Sequence, residues 1–191
     1  MSLDSQPRLQ HVVVIGPSGS GKSTLARRLA AIIAGAFIEL DGLYHQANWQ
    51  HGDVEDFHAR IRDAMRGNDR WVADGNYRIA RPVVWGEADT AIWLDYSFAR
   101  SFSRLVRRSA RRLIRNEELW NGNRESLRLH FFSKDSLFWW AISTHWKHRR
   151  SYPEHFALYP NMRVIHFHSP RETEAWVRGL EHARTQKPPA H

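Results

Sequence analysis

The string Gly16-Pro17-Ser18-Gly19-Ser20-Gly21-Lys22-Ser23 follows the pattern G-x-x-x-x-G-K-[ST], the spacing that lets a backbone wrap a polyphosphate. Its glycines free the chain to turn successive N–H groups inward toward an anion. Lys22 adds a mobile cation for the β- and γ-phosphates, and Ser23 offers a hydroxyl to a Mg²⁺ ion bridging them, with Thr24 continuing the loop into a helix. Three carboxylates complement this set, for Asp41, Asp74 and Asp95 each close a short apolar run. Turn chemistry accounts for any one of them, but three at such positions point to a Mg²⁺ or substrate role for at least one. Moving a γ-phosphoryl group needs in-line positioning, a metal and cations on the equatorial oxygens more than it needs covalent chemistry. Asp41 suits the acceptance of a proton from a substrate hydroxyl. Arg107, Arg111 and Arg115 suit the stabilisation of phosphoryl charge.

The elements that must position these groups show in the hydrophobic periodicity. His11–Ile15 reads as a buried strand, and the stretch from about Gly21 to Ala34 as a helix with Leu25, Ala26, Leu29, Ile32 and Ile33 at helical spacing. Strands are expected at Ala36–Leu40, Trp71–Ala73, Ala91–Leu94 and Met162–Phe167, with a helix at Val54–Met65. Strands alternating with helices imply a parallel sheet covered on both faces, with ligands outside the carboxyl ends of the strands. A further helix carries Arg100, Arg104, Arg107, Arg108, Arg111, Arg112 and Arg115 on one side, and Phe102, Leu105, Val106, Ala110, Leu113 and Ile114 on the other. Arg100 and Arg104 read as a solvated face. The cluster carries no interleaved acid and repels itself, so the three arginines nearest the following loop are expected on phosphate. Asn116–Glu125 reads as a polar lid, and Ser133–Arg150 as an aromatic helix serving as core or dimer contact rather than base-stacking platform.

The chain has 191 residues and a formal charge of +8, which suits one domain and an anionic partner, whether nucleotide or nucleic acid. With no cysteine there is no disulfide, no thiolate metal site and no cysteine nucleophile. The twelve histidines are scattered; His166 and His168 share a strand face, but without an accompanying ligand motif they read as ordinary buried or surface histidines. No apolar run approaches the ~20 residues that span a bilayer, so a soluble cytoplasmic protein is expected. Residues 1–10 and 184–191 read as disordered ends of a single domain spanning 11–183, with the lid and helical insert at about 97–160.

The phosphate loop, Leu40-Asp41-Gly42-Leu43 with Trp49, Trp71-Val72-Ala73-Asp74-Gly75-Asn76-Tyr77, Leu94-Asp95, the arginine helix and Ser169-Pro170-Arg171 together resemble the P-loop kinases related to adenylate kinase. More narrowly the set is similar to the bacterial DNA topology modulation (FlaR-type) proteins, and Leu119-Trp120-Asn121-Gly122-Asn123-Arg124-Glu125 resembles the lid of many actinobacterial members. The resemblance implies an α/β, three-layer P-loop NTPase fold with a parallel sheet, NMP-kinase-like, with a helical arginine-rich lid insert. It implies ATP and Mg²⁺ as cofactors, with residues 16–24 on the phosphates and Arg171 near the adenine. It puts Asp74 on the Mg²⁺ water shell, Asp41 on substrate or metal water, and Asn76 and Arg78 in the acceptor pocket. Trp49, Tyr77 and Arg124 complete a polar pocket with an aromatic wall. Adenylate kinases carry Asp-Gly-Phe-Pro-Arg where this chain has Asp74-Gly75-Asn76-Tyr77-Arg78, so AMP is not assigned as the acceptor.

Two functional classes follow. One is an ATP-dependent kinase whose acceptor is an unidentified small molecule: nucleoside, nucleotide, sugar or related metabolite, including as a variant a toxin-like kinase on a cell-wall or nucleotide-sugar precursor. The other is a nucleotide-dependent regulator, of the DNA topology modulation type and with little or no kinase activity, that binds DNA or RNA through the arginine face and the aromatic helix. The chain carries no helix-turn-helix, zinc-finger or RNA-binding signature.

Overall fold

The computed structural model describes residues 9–45, 53–115 and 137–185. Five strands, β1 (His11–Ile15), β2 (Ala36–Glu39), β3 (Trp71–Asp74), β4 (Thr90–Leu94) and β5 (Arg163–Phe167), form one parallel sheet in the order β2-β3-β1-β4-β5. The helices are α1 (Lys22–Ile33), α2 (Leu40–Tyr44), α3 (Val54–Met65), α4 (Arg81–Glu87), α5 (Phe98–Arg115), α6 (Leu137–Ala157) and α7 (Pro170–Thr185). A parallel sheet needs crossover connections, and these helices supply them and cover both faces. The alternation within β1 shows the layering. Val12 and Val14 pack with Leu25, Leu29 and Val177 under α1 and α7. Val13 and Ile15 pack with Phe57, Ile61, Val84 and Tyr152 under α3, α4 and α6. The result is the expected α/β three-layer arrangement.

Local chemistry explains the element ends. Asp53 caps α3 by accepting from the Asp56 N–H at 2.6 Å. Arg28 of α1 donates to Glu174 and Glu181 of α7, both at 2.7 Å, and ties the two helices on one face of the sheet. The fold departs from the sequence expectations in four places. The strand predicted to reach Leu40 stops at Glu39, and Asp41 lies in the short α2 instead of at a strand tip. Helix α6 runs past its predicted end at Arg150, through Pro153 to Ala157. Tyr152 and Phe156, one turn apart, pack on Trp85 and Trp93 and offset what the proline removes from the ladder. Helix α7 reaches Thr185, two residues into the predicted tail, where Arg184 donates to the carbonyls of Ala31 and Ile32. On α5 the buried stripe is Ser101, Leu105 and Ser109, while Val106 and Ile114, expected on an apolar side, are exposed. No helix among the described residues is long and apolar enough to cross a membrane.

A buried cation marks the seam between α4 and α6. Arg81 is 8% exposed and lies over the rings of Trp85 at 4.8 Å and Tyr152 at 5.5 Å. His148 stacks on Tyr152 on the same helix. Burial, then the charge of Arg81, push His148 down to about 4 from its ordinary 6.5. Its neutral form therefore favours the folded state fully above pH 6.5, and that contribution is lost as the pH falls toward 4. Denaturant midpoints measured across this window should drop with acid, and His148→Phe should flatten the slope.

Gly75 follows β3 at φ +149°, and a Cβ there would lie 2.8 Å from Cβ of Leu40 at the start of α2. Gly75→Ala should cost about 1–3 kcal/mol, read from urea unfolding, through strain against α2.

A phosphate cleft at the carboxyl ends of the strands

The loop from Gly16 to Gly21 leaves β1 at its carboxyl end and delivers α1 with Gly21 as N-cap, in the left-handed region at φ +97°. Among the described residues no side chain caps this helix. Its first N–H groups and the positive end of its dipole are thus directed at whatever the loop encloses. The loop is held from two sides. Asn76, after β3, accepts from the N–H of Gly16 and donates to its carbonyl oxygen, so one side-chain amide holds both backbone polar groups of one residue. On the other side a Cβ on Gly19 would collide with the Ser101 carbonyl oxygen and lie 2.9 Å from the Leu105 nitrogen. Helix α5 thus rests directly on the loop backbone, a contact only glycine opposite small side chains permits.

Lys22 curls over the loop, with Nζ 3.4 Å from the Pro17 carbonyl oxygen. Beneath it Asp74 is 3% exposed, with the Ser23 hydroxyl beside its carboxylate. Burial raises the Asp74 carboxyl above its ordinary range, opposed by Lys22 and Ser23 and reinforced by Asp41 and Glu39. Its Oδ1 is buried with no hydrogen-bond partner among the described residues. A buried carboxylate oxygen lacking a donor, beside a serine hydroxyl, is the donor set expected of a hard divalent cation and its waters. Ser23 and Asp74 therefore fit Mg²⁺. At Gly21 an added Cβ would meet only Arg104 Nη1, at 3.8 Å, so the loop is open where a phosphate would approach.

A cleft of about 670 Å³ opens from the loop, lined by Gly19, Gly21, Lys22, Ser23, Thr24, Glu39 and Asp41 on one side and by Arg104, Arg107, Arg108, Arg111 and Arg112 on the other. Asp41 Oδ1 accepts from the Tyr77 hydroxyl at 2.7 Å, and His45 Nε2 lies 3.2 Å from the same hydroxyl. Burial and the Asp41 charge raise Tyr77 far above the usual phenol range, so it stays a neutral donor.

The structure brings together Lys22, Ser23, Thr24, Asp41, Arg107 and Arg111 around one cleft, with Asp74 beneath. Pro17, Ser18 and Ser20 complete the loop, and the Ser20 N–H donates to the Pro17 carbonyl at 3.1 Å. Asn76 engages the loop backbone, while Tyr77 engages Asp41. Arg78 sits exposed in a single turn before α4, Arg115 lies beyond the cleft lining, and Arg171 is exposed in the first turn of α7. Trp49, Arg124 and the lid expected at Asn116–Glu125 lie outside the described residues. Arg104, read from the sequence as part of a solvated face, is exposed and also lines the cleft, with Nη1 3.5 Å from the Ser20 carbonyl oxygen. The signal was the spacing of Ser101, Leu105 and Ser109, which fixes the face that α5 turns to the loop and places Arg104, Arg108, Arg111 and Arg112 beside it.

No family model matches the chain, and no curated protein matches it in sequence. Solved structures do. A shikimate kinase from Acinetobacter baumannii in complex with shikimate superposes with a TM-score of 0.55 at 13% identity, covering 95% of this chain and 97% of that one. A shikimate kinase from Bacteroides thetaiotaomicron gives 0.53 at 15% identity, covering 91% and 97%. A gluconokinase from Sinorhizobium meliloti 1021 gives 0.48 at 19% identity, covering 95% and 99%. At these identities the likeness to the two shikimate kinases shows a shared P-loop kinase fold.

The buried charge of Asp74 gives a prediction of opposite signs. Asp74→Asn should raise the melting temperature of the ligand-free protein at pH 7 by about 2–4 °C, equivalent to about 1 kcal/mol in a domain of this size. It should also abolish the Mg²⁺-dependent part of nucleotide binding. Because the carboxyl is raised in the folded state, the wild type gains stability from this group as the pH falls through that raised value, and the variant lacks that component. Calorimetric melts with and without ATP and Mg²⁺ check both signs. A variant less stable than the wild type at pH 7 contradicts the account.

Proposed function

We propose that this chain is a P-loop kinase that transfers the γ-phosphoryl group of ATP to a hydroxyl of a small molecule. One observation carries the reading: the loop lysine and serine, the α5 arginines and Asp41 face one another across a single cleft. The fold shared with two shikimate kinases agrees with this and does not by itself carry it.

Bound ATP with Mg²⁺ supplies an activated phosphoryl group whose negative charge the metal shares. Everything else falls to the chain. The loop N–H groups and the α1 dipole bind the phosphates, and Ser23 and Asp74 hold the metal and its waters. Lys22 exchanges the weak bond to Pro17 for phosphate oxygens. The α5 arginines neutralise charge on the transferred group, a role in which a well-placed arginine contributes on the order of 10³–10⁵ in rate. Asp41 takes the acceptor's hydroxyl proton on Oδ2, while the Tyr77 hydroxyl holds Oδ1 and so fixes the plane of the carboxylate. Arg78 and Trp49, Arg124 and Arg171 are assigned to the acceptor and adenine sides by the sequence resemblance alone.

The acceptor class proposed is a hydroxyl-bearing nucleoside, nucleotide, sugar or related metabolite. The regulator reading draws on the same arginines, and five of them line the phosphate cleft. Grouping with the FlaR-type proteins rests on the motifs and not on any family model.

The test is ATP consumption across a metabolite panel, with Lys22→Ala as control. The wild type should turn over with at least one acceptor, and Lys22→Ala should lose at least about 10³-fold in rate while keeping its fold by circular dichroism. ATP with Mg²⁺ at about 100 times its Kd should stabilise the wild type by about 2.7 kcal/mol. A protein that shows neither stabilisation nor consumption is not this kinase.

A further inference from the structure

A second cluster of donors sits at the ends of β4 and β5, and none of its members lines the phosphate cleft. The parallel register pairs Trp93 with His166. Because side chains alternate along a strand, His168 shares a face with His166, and Asp95, two residues beyond Trp93, falls on that same face. The side chains converge accordingly. His166 Nε2 is 3.1 Å from Asp95 Oδ2, and His168 Nδ1 is 3.7 Å from the same oxygen. One ligand atom from each residue lies within 4.8 Å of both others. A tetrahedral ion with bonds near 2.0–2.1 Å keeps its ligand atoms about 3.3 Å apart, so these separations need only small adjustment.

Two further features prepare the cluster. The His166 ring is fixed by stacking on Trp93, centroids 3.9 Å apart and 5° from parallel. The Asp95 side chain is only 5% exposed, and it borders a small pocket of about 20 Å³ together with Pro17, Ser18 and His145. That space suits about one water beside the carboxylate. The positive charge now balancing the carboxylate is Arg149, whose Nε is 3.0 Å from Asp95 Oδ2 and whose side chain is half exposed. It shares that oxygen with both histidines and so competes with any cation for it.

We propose that Asp95, His166 and His168 form a binding site for a divalent transition ion of the zinc type, completed by water. Two imidazoles and one carboxylate favour such an ion over Mg²⁺ or Ca²⁺, which take oxygen donors. The ion ties the carboxyl ends of β4 and β5 together beside Pro17 and Ser18. The site is independent of the kinase reading.

The experiment is Co²⁺ titration of the full chain without nucleotide, followed by visible absorption, then displacement by Zn²⁺. The expected result is one Co²⁺ per chain with the intense bands of four-coordinate geometry; a six-coordinate ion among oxygen donors at Ser23 and Asp74 would absorb only weakly. His168→Ala, at a half-exposed position, should weaken binding at least about tenfold. Arg149→Gln should tighten it by about tenfold, because it removes the competing cation. Asp95→Asn should abolish it, but that buried variant carries a folding risk that His168→Ala does not. Absence of the intense bands, bands unchanged in His168→Ala, or binding lost in Ser23→Ala and kept in His168→Ala each overturns the proposal.

Discussion

The pairing of the Asn76 amide with the backbone N–H and carbonyl of Gly16 is the contact on which the rest of the site depends. It joins the ends of β1 and β3, two adjacent strands whose register already sets Val14 beside Asp74. Asp74 then lies under Lys22 and Ser23, and the turn after β3 carries Tyr77 to Asp41. A loop of three glycines is costly to order. Two neutral hydrogen bonds and the contact of Gly19 with α5 do the ordering without placing any charge where a phosphate must go.

Electrostatics inside the cleft is set up for a ligand rather than for the empty protein. Asp74 is a buried carboxylate with an oxygen lacking a donor. Across from it, α5 brings arginine side chains to one cleft with no acid on the helix between Phe98 and Arg115. A buried charge loses solvation, so the Asp74 carboxylate is unfavourable alone, and a divalent cation there would supply the opposite sign. Stability and function are thereby coupled in opposite directions at Asp74.

Much of this was legible in the chain. The octapeptide at Gly16–Ser23 and the apolar run before it fixed the first strand, loop and helix nearly to the residue, because hydrophobic periodicity and glycine placement are local properties. Asp74 was legible too, as the end of a short apolar strand. The length of α6 was not, because a proline and a basic run signal a helix end locally, while the aromatic packing of Tyr152 and Phe156 overrides that signal from a distance. Nor was the face of α5. Its seven arginines recur on every turn, and which of them meet the loop follows from the seating of Ser101 and Leu105 on Gly19, a contact between segments about eighty residues apart.

Residue type and spacing by themselves determined that a polyphosphate loop stands between a buried strand and a helix, since backbone freedom and charge at that loop are encoded within eight consecutive residues. Only the tertiary structure decided what surrounds it. Strand order 2-3-1-4-5 sets Asp74 and Asn76 next to the loop and gathers Asp95, His166 and His168 on another face. Adjacency of parallel strands joins residues that the sequence keeps far apart, and no local pattern carries that information.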